Sequence, residues 1–290
     1  MDWSDDGLDW PNRRFSRFVG VGAMVWHVQE RGPAGDGPTI LFLHGSGATT
    51  HSMVGLVDAL CDRYRCFSLD LPGHGFSTRM RRPRPTLEGV SDAIHRLLKQ
   101  EGVTPDFIVG HSAGAAIGVQ MLADAQRVQA IVSINGAFYP FPGMAGHVFP
   151  AIAKLLFLNP FVPRAFSFAA QTFGQVESLI ASTGSKLDEQ AMEWYRRALA
   201  SPHHVEGTLS MMANWDLHPM AERLRNLPVP LLQIIGTEDG TIDPKAAEET
   251  KRLVPECAIN LHEGKGHLVH EEAPDVVAAQ IHAFFETACP

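Results

Sequence analysis

A serine set among small residues, Gly110-His111-Ser112-Ala113-Gly114, stands where a short apolar run, Phe107-Ile108-Val109, gives way to an alanine-rich stretch without proline. The five residues fit G-x-S-x-G, in which serine occupies a strained strand-to-helix turn and the glycines let two backbones pass closely. A hydroxyl is a weak nucleophile until a base takes its proton, and an imidazole oriented by a carboxylate is the usual base. The chain holds 14 histidines, so position must choose among them. Chemistry in open α/β sheets gathers outside the carboxyl ends of the strands. The histidines that follow a strand directly are His44, His111, His262 and His267. His111 is expected to point away from the turn and His44 to shape the loop after "TILFL". His267, in "EGKGHLVHEEAP" between a glycine-flexed loop and the last helix, can turn back over the sheet edge and is the candidate base. His270 is expected on the surface or at the start of that helix.

The acid should lie past the preceding strand, where "LLQIIGTEDGTIDP" offers Glu238, Asp239 and Asp243. Asp243 suits the N-cap of a helix opening with Pro244. Asp239 is the candidate orienter, and its neighbour Glu238 should face away. An acyl-transfer site also needs N–H donors for a developing oxyanion. The expected pair is the backbone N–H of Ala113, next to the nucleophile, and that of Ser46 in "LHGSGATT". His267/His270 and His203-His204 are the histidine pairs that raise metal binding, but neither comes with a carboxylate set at a recognisable spacing. No metal and no cofactor is expected.

These residues need a scaffold that brings strand ends together. "SRFVGVGAMVWHVQERG" alternates around a glycine pair and reads as an antiparallel hairpin. "TILFLHG" is continuously apolar, as in a strand buried on both faces. Helix near 52–60, strand near 65–69, helix near 87–102, strand 107–109, the Ser112 helix and strand 128–134 then alternate. After an interruption come a strand in "VPLLQIIG", helix 244–253, strand 258–261 and helix 273–287. The pattern predicts an α/β fold: a mostly parallel eight-stranded sheet with helices on both faces. It divides into a first core part, 1–136, an inserted helical cap, 137–227, and a second core part, 228–290. Half of the 16 phenylalanines fall between Phe138 and Phe173 in the insertion. Such a cap implies an apolar or aromatic substrate beneath it. Phe138, Tyr139 and Phe141, directly after a core strand, are the expected substrate-binding residues.

Composition narrows the classes. The 290 residues are 45% apolar and 19% charged, which suits a globular enzyme, and the net charge of −8 disfavours nucleic acid as a partner. Residues 128–153 carry no charge, but Asn135, Gly136, Pro140, Pro142, Gly143, Gly146 and Pro150 interrupt them, so no transmembrane segment is expected. The four cysteines form no C-x-x-C pair, and the acidic N-terminus lacks a signal-like apolar run. A cytoplasmic location is expected.

"LFLHGSG", "LDLPGHGFS", "VGHSAGA", "IIGTEDGTIDP" and "GKGHLVHEEAP" resemble the successive core motifs of the α/β-hydrolase superfamily, including its Ser…Asp…His chain order. "DWPNRRFSRFV", "NGAFYPFPGMAGHVFPAIAKLLFLNPFVPR" and "MMANWDL" are similar to the magnesium-chelatase accessory proteins (the BchO type) of bacteriochlorophyll biosynthesis. This second resemblance implies a tetrapyrrole as the apolar small molecule and magnesium chelatase as a partner. The function expected is therefore a serine hydrolase of acyl or ester type in pigment synthesis. The alternatives are a general carboxylesterase or C–C bond hydrolase, and a non-catalytic tetrapyrrole-binding or chelatase-assisting protein.

Overall fold

The computed structural model describes residues 1–33, 37–80, 84–122, 127–140, 162–170 and 174–288. Its centre is an eight-stranded sheet: β1 (Ser16–Val21), β2 (Met24–Arg31), β3 (Thr39–Leu43), β4 (Arg65–Leu69), β5 (Phe107–His111), β6 (Ala130–Ile134), β7 (Leu231–Gly236) and β8 (Ala258–His262). The strand order is β1-β2-β4-β3-β5-β6-β7-β8. β2 pairs antiparallel with both neighbours, and every other pairing is parallel.

The apolar runs of the inner strands split by their period of two. Leu41, Leu43, Ile108, Ile131 and Leu231 share one buried cluster with α2 (Leu87–Glu101) and α3 (Ala113–Met121). Ile40, Phe42, Phe107, Val109, Val132 and Ile234 share the other with α1 (Val54–Leu60). Both faces are thus covered, and each fully buried aliphatic side chain contributes about 1.5–3 kcal/mol. α2 starts where the Thr86 side chain accepts from the Gly89 N–H and ends at Gly102, whose φ of 64° closes the helix.

Between β6 and β7 lie α4 (Val162–Ala170), α5 (Gln175–Ser182), α6 (Glu189–Leu199), α7 (Pro202–Asn214) and α8 (Met220–Arg225). This is the expected helical insertion. Its apolar cluster, with Val176, Ile180, Tyr195, Leu199 and Val205, also takes in Ala48 and Leu268 of the core loops. α9 (Ala246–Leu253), α10 (Val269–Glu272) and α11 (Pro274–Ala288) complete the chain, with Val277, Ile281 and Phe285 of α11 joining α1 on its face of the sheet. Among the described residues no helix is long and apolar enough to cross a membrane. Cys61, Cys66 and Cys257 are free and buried.

Candidate active site

Ser112 sits between the end of β5 and the start of α3 with φ 50° and ψ −113°, a conformation that costs a non-glycine residue on the order of 1–3 kcal/mol. Surrounding bonds hold it there. Its N–H donates to the Ile134 carbonyl at 2.9 Å, and its own carbonyl accepts from Ala115 and Ala137, each at 3.1 Å. The turn is tight enough that a Cβ on Gly110 would meet the Gly114 carbonyl group, and one on Gly114 would run into the Leu43 carbonyl. Only glycine allows β3, β5 and α3 to close around the serine.

Asp239 follows β7 and His267 follows β8, so parallel strands deliver both to the edge that carries Ser112. His267 Nδ1 lies 2.7 Å from Asp239 Oδ2. The other carboxylate oxygen, Oδ1, accepts from the N–H groups of Thr241 at 2.7 Å and Ile242 at 2.9 Å. With one oxygen fixed by backbone, the other is aimed at the imidazole. Ser112, Asp239 and His267 are 9%, 9% and 6% exposed, so the pair sits largely out of water, where a charge-assisted bond is strong.

The loop after β3 reaches the same place: a Cβ on Gly45 would stand 3.2 Å from Ser112 Cβ. Ser46 is exposed beside it, and Ala113 opens α3, where an amide has no intrahelical acceptor. His44 shapes this loop as expected. Its Nε2 accepts from the Leu71 N–H at 2.9 Å, which leaves the proton on Nδ1 to donate to the Gly45 carbonyl at 2.7 Å.

The alpha/beta hydrolase family model matches residues 40–280. The chain belongs to the alpha/beta hydrolase family. It is also 37% identical over 277 residues to the Magnesium-chelatase 30 kDa subunit of Rhodobacter capsulatus, covering 94% of this chain and 95% of that protein. A pimeloyl-[acyl-carrier protein] methyl ester esterase of Nitrosospira multiformis is 27% identical, over 86% of this chain and 95% of the relative. Among solved structures, a putative lipase from Acinetobacter baumannii superposes with a TM-score of 0.80 at 17% identity, over 99% of this chain and 97% of that one. The last agreement is one of fold.

His111 departs from the sequence expectation, and His270 meets it at the helix start but not at the surface. His111 does not turn away. Its Nε2 donates to the His267 carbonyl at 3.0 Å, and the two rings lie 4.7 Å apart, so the residue before the serine fastens the histidine loop to the elbow. His270 does open a helix, but it is fully buried, 4.4 Å from the His111 ring. Burial lowers the His111 pKa well below its ordinary value and that of His270 to about 3, so both stay neutral beside His267. Asp243 is not the helix N-cap that the sequence suggested: α9 begins at Ala246 behind Lys245, and Asp243 instead accepts from the Lys245 N–H at 3.0 Å in the turn before it, while Glu238 is exposed.

Among the expected cap aromatics, Phe138 needs correction. Phe138 is 2% exposed and packed into the sheet's core, so almost none of its surface is left for a ligand. Tyr139 spends its hydroxyl on Thr250 of α9 at 3.1 Å. A residue that follows a buried strand this closely is drawn into the same apolar layer. Phe141 lies outside the described residues.

Three contributors went unforeseen. Asn135, at φ 44° after β6, donates to the His267 carbonyl at 2.8 Å and accepts from the Gly236 N–H at 3.0 Å, tying three strand ends together. Its place in an Asn-Gly pair after a strand was a usable turn signal. Asp70, after β4, is buried against His27 at 2.8 Å and accepts from the N–H groups of Thr50 and Phe76. Burial pushes its pKa up, but His27 and these donors outweigh it and hold the carboxyl below the usual range. The third is Thr183, whose carbonyl accepts from both Gly240 at 3.1 Å and His267 at 3.0 Å, so a cap residue joins the acid and histidine loops.

Proposed function

We propose that the protein is a serine hydrolase that cleaves an ester or related acyl bond on an apolar substrate, with Ser112 as nucleophile, His267 as base and Asp239 as its orienter. The observation that carries this reading is the 2.7 Å His267–Asp239 bond, with the second carboxylate oxygen held by two backbone N–H groups, at the edge where Ser112 is strained into its turn. Asp239 accepts from His267 Nδ1, which leaves Nε2 to take the serine proton. Ser112 Oγ then adds to the substrate carbonyl, and the charge formed on its oxygen is met by the N–H groups of Ser46 and Ala113. Collapse expels the alcohol, which takes the proton from His267. Water, deprotonated in turn by His267, releases the acid and restores the serine.

Kinship with a protein named for magnesium chelatase supports a tetrapyrrole as the substrate and magnesium chelatase as a partner, in the cytoplasm. The phenylalanine-rich insertion supports an apolar one. The same name favours a second reading, in which the chain binds a tetrapyrrole or the chelatase without catalysis. A fluorophosphonate probe, applied to wild type and Ser112→Ala alongside titration with Mg-protoporphyrin, separates the readings. Labelling that is lost in the variant, with tetrapyrrole binding in both, is the expected result. Equal labelling of the two removes Ser112 as nucleophile. Binding without any labelling selects the second reading, and ester turnover without tetrapyrrole binding selects a general esterase.

A further inference from the structure

The His203-His204 pair finds no role in the proposed chemistry, yet His204 is fully buried where α7 of the cap meets the core. Its Nδ1 accepts from the Gly75 N–H at 3.0 Å, which places the ring proton on Nε2, 3.0 Å from the Gly47 carbonyl. We infer that His204 is a positioning residue that sets the oxyanion loop, 45–48, from the cap. The inference rests on the serine-hydrolase reading for its catalytic consequence, though not for the anchoring itself.

The geometry follows from trans peptide planes, in which C=O and N–H point opposite ways. With the Gly47 carbonyl drawn toward His204, the Ala48 N–H of the same plane faces the other way. There it donates to the Gly45 carbonyl at 3.2 Å. The Gly45 carbonyl, held also by His44, belongs to the plane that carries the Ser46 N–H. That N–H is thereby turned away from the held carbonyl, and it is the amide offered to the oxyanion. Three links thus run from a cap side chain to an oxyanion donor.

The surroundings keep the link stiff. His203 Nε2 donates to the Ser77 carbonyl at 2.9 Å, Arg79 pairs with Glu206, and Gly207 lies directly against the Gly73 backbone, so α7 cannot slide over the loop. Ala48 itself sits in the cap's apolar cluster. Groups facing His204 are His44, His74, His51, Asp70 and the Met1 ammonium. Burial, the largest influence, lowers the His204 pKa to about 3, which keeps the accepting Nδ1 unprotonated.

Two conservative variants divide the roles. In His204→Asn the side-chain oxygen takes the place of Nδ1 and keeps the Gly75 bond while losing Gly47. In His204→Gln the amide nitrogen takes the place of Nε2 and keeps Gly47. Deuterium exchange of the Ala48 amide and hydrolysis of a p-nitrophenyl ester are measured for both, with Tm as the check on folding. The expected result is exchange at least about tenfold faster, and kcat lower by about 10² with KM within about threefold, in His204→Asn only; displacement of the reacting geometry by about 1 Å has that cost. Equal exchange and equal kcat in the two variants would overturn the inference. Absence of Ser112-dependent turnover in wild type would refute the hydrolase reading, and the exchange comparison would still decide the anchoring.

Discussion

Acidification from pH 7 to pH 5.5 should destabilise this protein, and the buried histidines set by how much. Burial lowers the pKa values of His51, His204 and His270 to about 3, against 6.5 for exposed histidine. The fold keeps them neutral while the unfolded chain takes up protons below pH 6.5. The unfolded state binds more protons, so stability is fully present above pH 6.5 and falls as pH drops. Over this interval each such histidine costs about 1.3 kcal/mol and the three together about 4 kcal/mol. Glu271 acts in the opposite sense. Burial raises its carboxyl to about 8, so the fold keeps it protonated while the unfolded chain ionises it above about 4.5. Its penalty shrinks on acidification, which returns about 2 kcal/mol. His44, His74 and His111 are also lowered by burial and add to the loss. Asp70, lowered on balance, changes nothing here, because both states ionise it above pH 5.5.

The net loss from His51, His204, His270 and Glu271 is about 2 kcal/mol, before the further loss from the other three rings, against a total stability of about 5–15 kcal/mol for ordinary proteins. Thermal unfolding followed by circular dichroism should show Tm falling by at least about 4–8 °C between the two pH values. His270→Leu sharpens the test. Neither ring nitrogen of His270 has a hydrogen-bond partner among the described residues, so an apolar replacement removes an unsatisfied group and one proton of pH dependence together. At pH 7 it should change Tm little or raise it, and at pH 5.5 it should be more stable than wild type by about 1 kcal/mol. A Tm that holds steady on acidification would refute the argument that these rings are buried and neutral.

Asp239→Asn should lower turnover of a model ester by about 10⁴, because the imidazole loses its orienting charge. Asp243→Asn should leave turnover within a few-fold and cost under about 1 kcal/mol in urea unfolding, since the Asn side-chain oxygen can still accept from the Lys245 N–H. The reverse pattern would reassign the acid. Gly184 has φ 77°, and a Cβ there would strike the Glu238 carbonyl, whereas Gly22 has φ 59° and open space around it. Gly22→Ala should cost about 1–2 kcal/mol from backbone strain alone. Gly184→Ala should cost more and lower kcat as the acid loop shifts, and equal effects of the two would remove the cap's hold on that loop.

Period and punctuation made the core legible. Continuous apolar runs marked strands covered on both faces, and β4 begins and ends where its pattern does, at Arg65 and Leu69. That Ser112, Asp239 and His267 stand at one edge was legible for a related reason, since each follows a strand, and a parallel sheet delivers strand ends to one edge. Side-chain direction beyond that edge was not. His111 and His270 are polar and lie where a turn or surface reading is natural, yet they are sealed beneath His267 by the packing of loops far apart in sequence. Phe138 failed for the opposite reason: an aromatic at the start of an apolar insertion suits a ligand chamber or a core equally, and only the layer it joins decides. The cap shows the limit most clearly. Thr183 acts through its carbonyl, which no residue type encodes, and His204 acts through a loop some 157 residues away in the chain. A sequence written as core, insertion, core suggests a lid over a finished site. The bonds from Thr183 and His204 instead make the insertion part of what holds the loops of Asp239, His267 and Gly47 in register.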